Sequence, residues 1–201
     1  MTVVQDRPDA GLTSGEVPAE RRTMIACQLR VSGVNTPAIL EAFAATARED
    51  FVPADRRAVA YADRAIPLGD GRVLAPALTY GQMLEAAAPV RADSVLVISA
   101  NGYLAALAAH LSGAVARADS LAEAAGGPYS LILIDGAAEV LPDSLGAFLA
   151  DDGRIITGLL DRGVTRLAVA RKTMGKVVAT PLSDADFAPL AEFAAPKTWS
   201  F

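Results

Sequence analysis

Histidine occurs once in this 201-residue chain, at His110, and cysteine once, at Cys27. Neither an internal disulfide nor a multi-cysteine or multi-histidine metal cage can be built from them, so no metal is expected. Cations are also scarce: 18 Lys and Arg stand against 23 Asp and Glu, for a net charge of -5. Holding a phosphate backbone takes clustered cations, so no nucleic-acid partner is expected, and the basic pair Arg171-Lys172 reads as a solvated strand edge. Long apolar runs are missing as well. Hydrophobic residues make up 52% of the chain and mean hydropathy is +0.33, but alanine supplies much of this and no continuous apolar run reaches the length of a span. No membrane partner is expected. The polar start, Met1 to Pro18, lacks the apolar centre of a secretory signal, which makes the cytoplasm the expected compartment.

What is present reads as a flexible tail over residues 1–20 and a single α/β domain over 21–201. A helical cap is expected over about 21–90. Met24, Ile25, Gln28, Leu29 and Val31 share a helical face that Gly33 ends, and Thr36 with Pro37 starts a second helix carrying Ile39, Leu40 and Phe43. A helical turn or two is expected over 54–61, a turn over 67–72, and a third helix after Pro76 with Leu78, Met83 and Leu84 inward. From about 91 onward strand and helix alternate. Strands are expected at 95–98, 114–118, 131–134 and 155–160, helices at 103–111 and around 141–149, and an antiparallel finish at 165–171 and 176–181. The interval Ser112 to Ser130 is too short for a full crossover unit, so one strand–helix unit is missing or collapsed. The sheet edge this leaves leads to the expectation of a homodimer.

The informative stretch is Val95 to Leu111, a buried strand turning sharply into a helix. Such turns usually carry several glycines; here Ser99, Ala100 and Asn101 precede a lone Gly102. Gly102-Tyr103 is either a pocket remnant or the tight turn of any strand–helix junction. Asp119 either grips a ligand hydroxyl or N-caps a short helix over 120–125, and Asp135-Gly136 is either a ligand-facing strand end or a plain turn. Tyr61 and Asp63 read equally as a cleft wall or as a satisfied structural pair. Cys27 reads as a small core residue, His110 as a surface residue, and Trp199 with Phe201 as a docked terminus.

Taken in order, Met24-Ile-x-x-Gln28-Leu, Gly33-Val, Arg48-Glu-Asp-Phe-Val-Pro53, Ala60-Tyr-Ala-Asp63, Pro67-Leu-Gly, Pro76 and Met83 resemble the N-terminal half of protein-L-isoaspartate O-methyltransferases. The similarity resumes at the strand–turn–helix, at Pro128-Tyr129, Gly153-Arg154 and Pro189-Leu-x-x-Phe193. This resemblance implies a Rossmann-like S-adenosylmethionine-dependent methyltransferase fold with a shortened, mostly parallel sheet. Its implied activity is esterification of isoaspartyl carboxylates, so damaged isoaspartyl-containing proteins become the implied partners. By position it places Ser99, Asn101, Gly102, Asp119 and Asp135 around the S-adenosylmethionine cofactor, and Tyr61, Asp63 and Pro76 at the substrate cleft. The chain departs from the family pattern where an acid is usual and Val97 stands, and where a serine is usual and Leu74 stands. The expected function is an isoaspartyl methyltransferase homologue with impaired activity; the alternative is a pseudoenzyme that binds a protein or another ligand.

Overall fold

Gly33 turns at φ 92 and so stops the first helical segment where a side chain would be strained. The computed structural model describes residues 17–196, so Trp199 and Phe201 lie outside the described residues. Helix α1 (Ala19–Met24) already begins within the expected tail and continues through a π turn at Ile25–Leu29 and a 3-10 turn at Arg30–Ser32. Met24, Ile25 and Leu29 face the core, while Val31 is exposed, and so is Cys27, which corrects its reading as a core residue. Helix α2 spans Pro37–Ala45, with its N-cap position at Thr36 but no cap bond from that side chain.

The cap is not wholly helical. Residues 67–72, read as a turn, lie within a hairpin of β1 (Ile66–Gly69) and β2 (Arg72–Leu74). Helix α3 (Ala77–Ala87) follows Pro76, which stands at its N-cap position and is itself buried. Next come β3 (Ser94–Ile98), α4 (Tyr103–Leu111) and β4 (Ala114–Ala118), close to the expected bounds. Strand β5 (Tyr129–Ala138) runs on through Asp135-Gly136 rather than turning there. The helix expected around 141–149 is only a 3-10 turn, Asp143–Ala147, before β6 (Leu149–Asp161), β7 (Val164–Thr173) and β8 (Lys176–Asp184).

The main sheet has the order β4-β3-β5-β6-β7-β8. Its first three pairings are parallel and its last two antiparallel, a mostly parallel Rossmann-like arrangement. Alternation along β3 sends Val95 and Val97 to the face clad by helices, with Leu104, Leu107 and Leu133. Leu96 and Ile98 point to the other face, with Ile132, Ile134 and Phe193. Among the described residues, that second face is covered not by helices but by short 3-10 turns, Leu121–Glu123, Asp143–Ala147 and Ala191–Phe193. The collapsed unit between β4 and β5 is the first of these turns. Among the described residues, no helix is long and apolar enough to cross a membrane.

Candidate functional site: the crevice at the carboxyl ends of β3, β4 and β5

Register builds the site. Ile98 pairs with Ala118 on one side and Ile134 on the other, so the next residues, Ser99, Asp119 and Asp135, stand in one row, the first two just past their strands and Asp135 within β5, which runs on against β6. The chain reverses its direction of sheet growth here, between β4 and β5 on either side of β3, which is where open α/β sheets bind ligands. A cavity of about 320 Å³ opens on this row and is lined by Ser99, Asn101, Asp119 and Asp135. That volume sits at the small end of ligand pockets, roughly 300–1,000 Å³.

Asp135 is the hub. Its Oδ2 accepts hydrogen bonds from Ser99 Oγ at 2.7 Å, Asn101 Nδ2 at 2.8 Å and the Tyr80 hydroxyl at 3.1 Å. Burial pushes the Asp135 carboxyl above its ordinary range, although the donors from Ser99, Asn101 and Tyr80 partly offset it. Tyr80 comes from α3 and its hydroxyl oxygen also accepts the Ala75 N–H at 3.2 Å, which ties the end of the cap hairpin to the sheet. Asn101 serves twice, because its Oδ1 accepts the Tyr103 N–H at 2.9 Å and so caps α4. It keeps a negative φ; Gly102 alone in this turn is left-handed, at φ 78.

Gly102 lies beside the cavity rather than in its wall, beneath Arg117. A Cβ on Gly102 would meet Arg117 Nη1 at 2.6 Å, so the guanidinium occupies the room that the missing side chain leaves. Its Nη2 contacts Asp119 Oδ1 at 2.5 Å. Asp119 therefore pairs with Arg117, and the 3-10 turn after it starts from Ser120 with no side-chain cap. The opposite wall comes from a C-terminal strap, residues 188–193, which includes Pro189, Leu190 and Glu192.

The remaining candidates lie elsewhere. Val97 and Leu74 are fully buried in the core, so neither position presents a group to the crevice. Tyr61 borders a separate cavity of about 450 Å³ with Glu49 and Arg57. It donates to Glu49, and Arg21 Nε donates to its hydroxyl at 2.8 Å; burial first and Glu49 next push its phenol up to about 12. Asp63 is exposed and is not the partner of Tyr61, which corrects the paired reading. His110 is exposed as expected. Among the described residues, no cluster of His, Cys, Asp and Glu is placed to hold a metal ion.

Sequence reasoning missed Tyr80, Arg117 and the strap, and it left Arg48 without a role. Arg48 is fully buried, donates to Ala60 O at 2.7 Å and Ala75 O at 2.6 Å, and lies against the rings of Tyr80 and Tyr103, which also touch each other edge to face. It thereby fixes the segment that carries Ala75 against the hub. The only signal available was its place in the Arg-Glu-Asp-Phe-Val-Pro run.

Residues 20–126, just over half of the chain, match the family model described as Protein-L-isoaspartate(D-aspartate) O-methyltransferase. A protein-L-isoaspartate O-methyltransferase of Koribacter versatilis is 30% identical over 200 residues, covering 85% of this chain and 90% of that relative. A protein-L-isoaspartate O-methyltransferase 1 of Rhodopseudomonas palustris is 30% identical over 203 residues, covering 86% and 83%. Among solved structures, a Plasmodium falciparum protein described as a protein-L-isoaspartate O-methyltransferase, in complex with S-adenosyl-L-homocysteine, superposes with a TM-score of 0.69. That match covers 86% of this chain and 98% of that one at 14% identity, and it establishes the fold. With fold, family model and relatives in agreement, the chain belongs to the protein-L-isoaspartate O-methyltransferase family.

Proposed function

We propose that this chain is an isoaspartyl carboxyl methyltransferase homologue whose methyl transfer is impaired. The observation that carries this reading is a crevice retained in position but occupied by the chain's own groups. The row Ser99, Asp119 and Asp135 is present along the crevice, yet Asp135 Oδ2 is engaged by Tyr80, Ser99 and Asn101, and Asp119 is engaged by Arg117.

The family implies S-adenosylmethionine, and the residues present do not fit it as they stand. Arg117 fills the space above Gly102, Leu190 fills the space above Gly136 within β5, and Val97 offers an apolar core side chain where the family carries an acid. A substrate carboxylate is already a nucleophile, so what the protein must supply is positioning in a site closed to water. Leu74 cannot supply that positioning by a hydrogen bond, because it is buried and apolar. In this reading the partners are damaged isoaspartyl proteins, turned over slowly.

The second reading is a pseudoenzyme that keeps the scaffold as a protein- or ligand-binding module, and the self-satisfied Asp135 hub favours it. Calorimetric titration with S-adenosylmethionine, an Asp119→Ala control and a methyl-transfer assay on an isoaspartyl peptide separate the two. Weak binding abolished by Asp119→Ala, with slow turnover, supports the first reading. Neither binding nor turnover supports the second, and turnover at the rate of an active relative overturns the impairment.

A further inference from the structure

We propose that Arg117 and Leu190 form a two-part internal plug, and that these side chains determine whether an S-adenosyl ligand can enter the crevice. The inference rests on reading the crevice as a reduced cofactor site. Both plugs sit on glycines. At Gly102 the Cβ position is 2.6 Å from Arg117 Nη1, and at Gly136 it is 2.4 Å from Leu190 Cγ, so each missing side chain is replaced by one from a distant part of the chain.

The two halves are held differently. Arg117 is anchored by Asp119 at 2.5 Å, and its side chain is 43% exposed, so solvent can receive it once the pair with Asp119 is broken. Leu190 is fixed by its strap. The strap pairs with β5 through Ala137 N–H to Ala188 O at 2.8 Å and Leu190 N–H to Ala137 O at 2.9 Å. Farther along, Phe193 O accepts the N–H groups of Glu139 and Val140, at 3.0 and 3.1 Å. Glu192 Oε2 then accepts the Leu121 N–H at 2.9 Å, carrying the strap across to the turn after β4. The strap thus bridges the strand ends on both sides of the crevice, in the gap left by the collapsed unit.

Charge places Arg117 there. Asp119, Asp135 and Glu192 line the cavity together with Asp70 and Arg72, and Arg117, beside that lining over Gly102, is the cation that pairs with Asp119. A ligand hydroxyl that is to bond Asp119 has to displace the guanidinium from that carboxylate first. The affinity of such a site is reduced by the fraction of molecules in which the plug is out.

The test is calorimetry with S-adenosylhomocysteine on the full chain, comparing wild type with Arg117→Ala, Leu190→Ala and the double substitution, with circular dichroism and melting curves as the check on folding. Because Arg117 is a surface side chain and Leu190→Ala keeps every strap backbone bond, folded variants are expected. Each single substitution should tighten binding and the double by at least about 10-fold, as expected if the open form is at most about a tenth of molecules. Folded variants with no gain, Arg117→Ala above all, overturn the proposal. So does a wild-type affinity equal to that of the double. Methyl transfer by wild type is scored separately: normal turnover defeats the impaired reading, whereas tighter binding by the variants without turnover supports the plug and leaves Leu74 as the block.

Discussion

Asp93 shows how far a single residue can lock the sheet to its cap. Its Oδ2 accepts the Val90 N–H at 2.9 Å and Arg154 Nη2 at 2.8 Å, while Oδ1 accepts the Ser130 hydroxyl at 2.6 Å. Arg154 also donates to Ala87 O at 2.6 Å, so one arginine on β6 satisfies the C-terminal end of α3 and the acid beside β3. Burial opposes the Asp93 charge, but the Arg154 guanidinium, the Ser130 hydroxyl and the Val90 N–H outweigh it and hold the carboxyl at about 2, below its ordinary 3.8. A depressed folded-state value means that the stabilisation is complete above 3.8 and is lost as pH falls through about 2. Urea melts should show Asp93→Asn less stable by about 2 kcal/mol at neutral pH. The same variant should lack the wild-type loss of stability between those two pH values; an unchanged acid limb would show that the charge is immaterial. None of this was legible beforehand, since Asp93, Ser130 and Arg154 are brought together only by strand register. The hub residue Tyr80 was hidden for the same reason, 55 positions from Asp135.

At the scale of elements, legibility followed local punctuation. Helix α4 lies between Gly102 and Gly113, strand β4 starts directly after Gly113, and the apolar period changes there, so their bounds could be read. The hairpin was missed because strands of four and three residues around Gly69-Asp70-Gly71 show the turn and too little alternation. Strand β5 was cut short because Asp-Gly is a turn signal. Here Thr157 Oγ1 donates to Gly136 O at 3.0 Å and the strap pairs with Ala137, so the strand stays extended for reasons no local pattern contains. Helix α2 is a further case of remote support. Thr36 holds the expected N-cap position, but the cap comes from Glu85 on α3, whose carboxylate accepts the N–H groups of Asn35 and Thr36 at 2.8 and 2.9 Å. Glu85→Ala should therefore cost about 1 kcal/mol in a denaturant melt, the size of a lost N-cap, and Glu85→Gln less; equal stability of all three would deny the cap. The two sheet edges also differ. Strand β8 is guarded by Lys176, Pro181 and Asp184, whereas the one charge on β4, Arg117, is turned to Asp119. A dimer paired along β4 is the expected state, and light scattering that finds only monomer at high concentration would remove it.

Across the whole molecule the sheet is clad unequally, and this sets the order in which it should open. Helices α2, α3 and α4 cover Val95, Val97, Leu131 and Leu133 on one face, whereas the opposite face depends on three short turns and the strap. A 3-10 turn covers far less apolar surface than a helix, so each residue it contributes carries more of the cover. Phe193 is the largest side chain in that cover and is 2% exposed among Ile98, Ile134 and Leu145. Its removal leaves a cavity on a face with little else to close over it. Phe193→Ala should therefore cost about 3 kcal/mol, at the level of a buried aromatic in a core, although it sits eight positions from the end of the chain. Hydrogen exchange gives the sharper measurement. The amides of Ala137, Glu139, Val140 and Leu190, which hold the strap, should exchange through a local opening that lies well below the global unfolding of β3 and α4. In Phe193→Ala that opening should become easier still while α4 keeps its protection. If strap and core amides instead lose protection together, the two faces unfold as one unit, and the crevice cannot be uncovered without unfolding the domain.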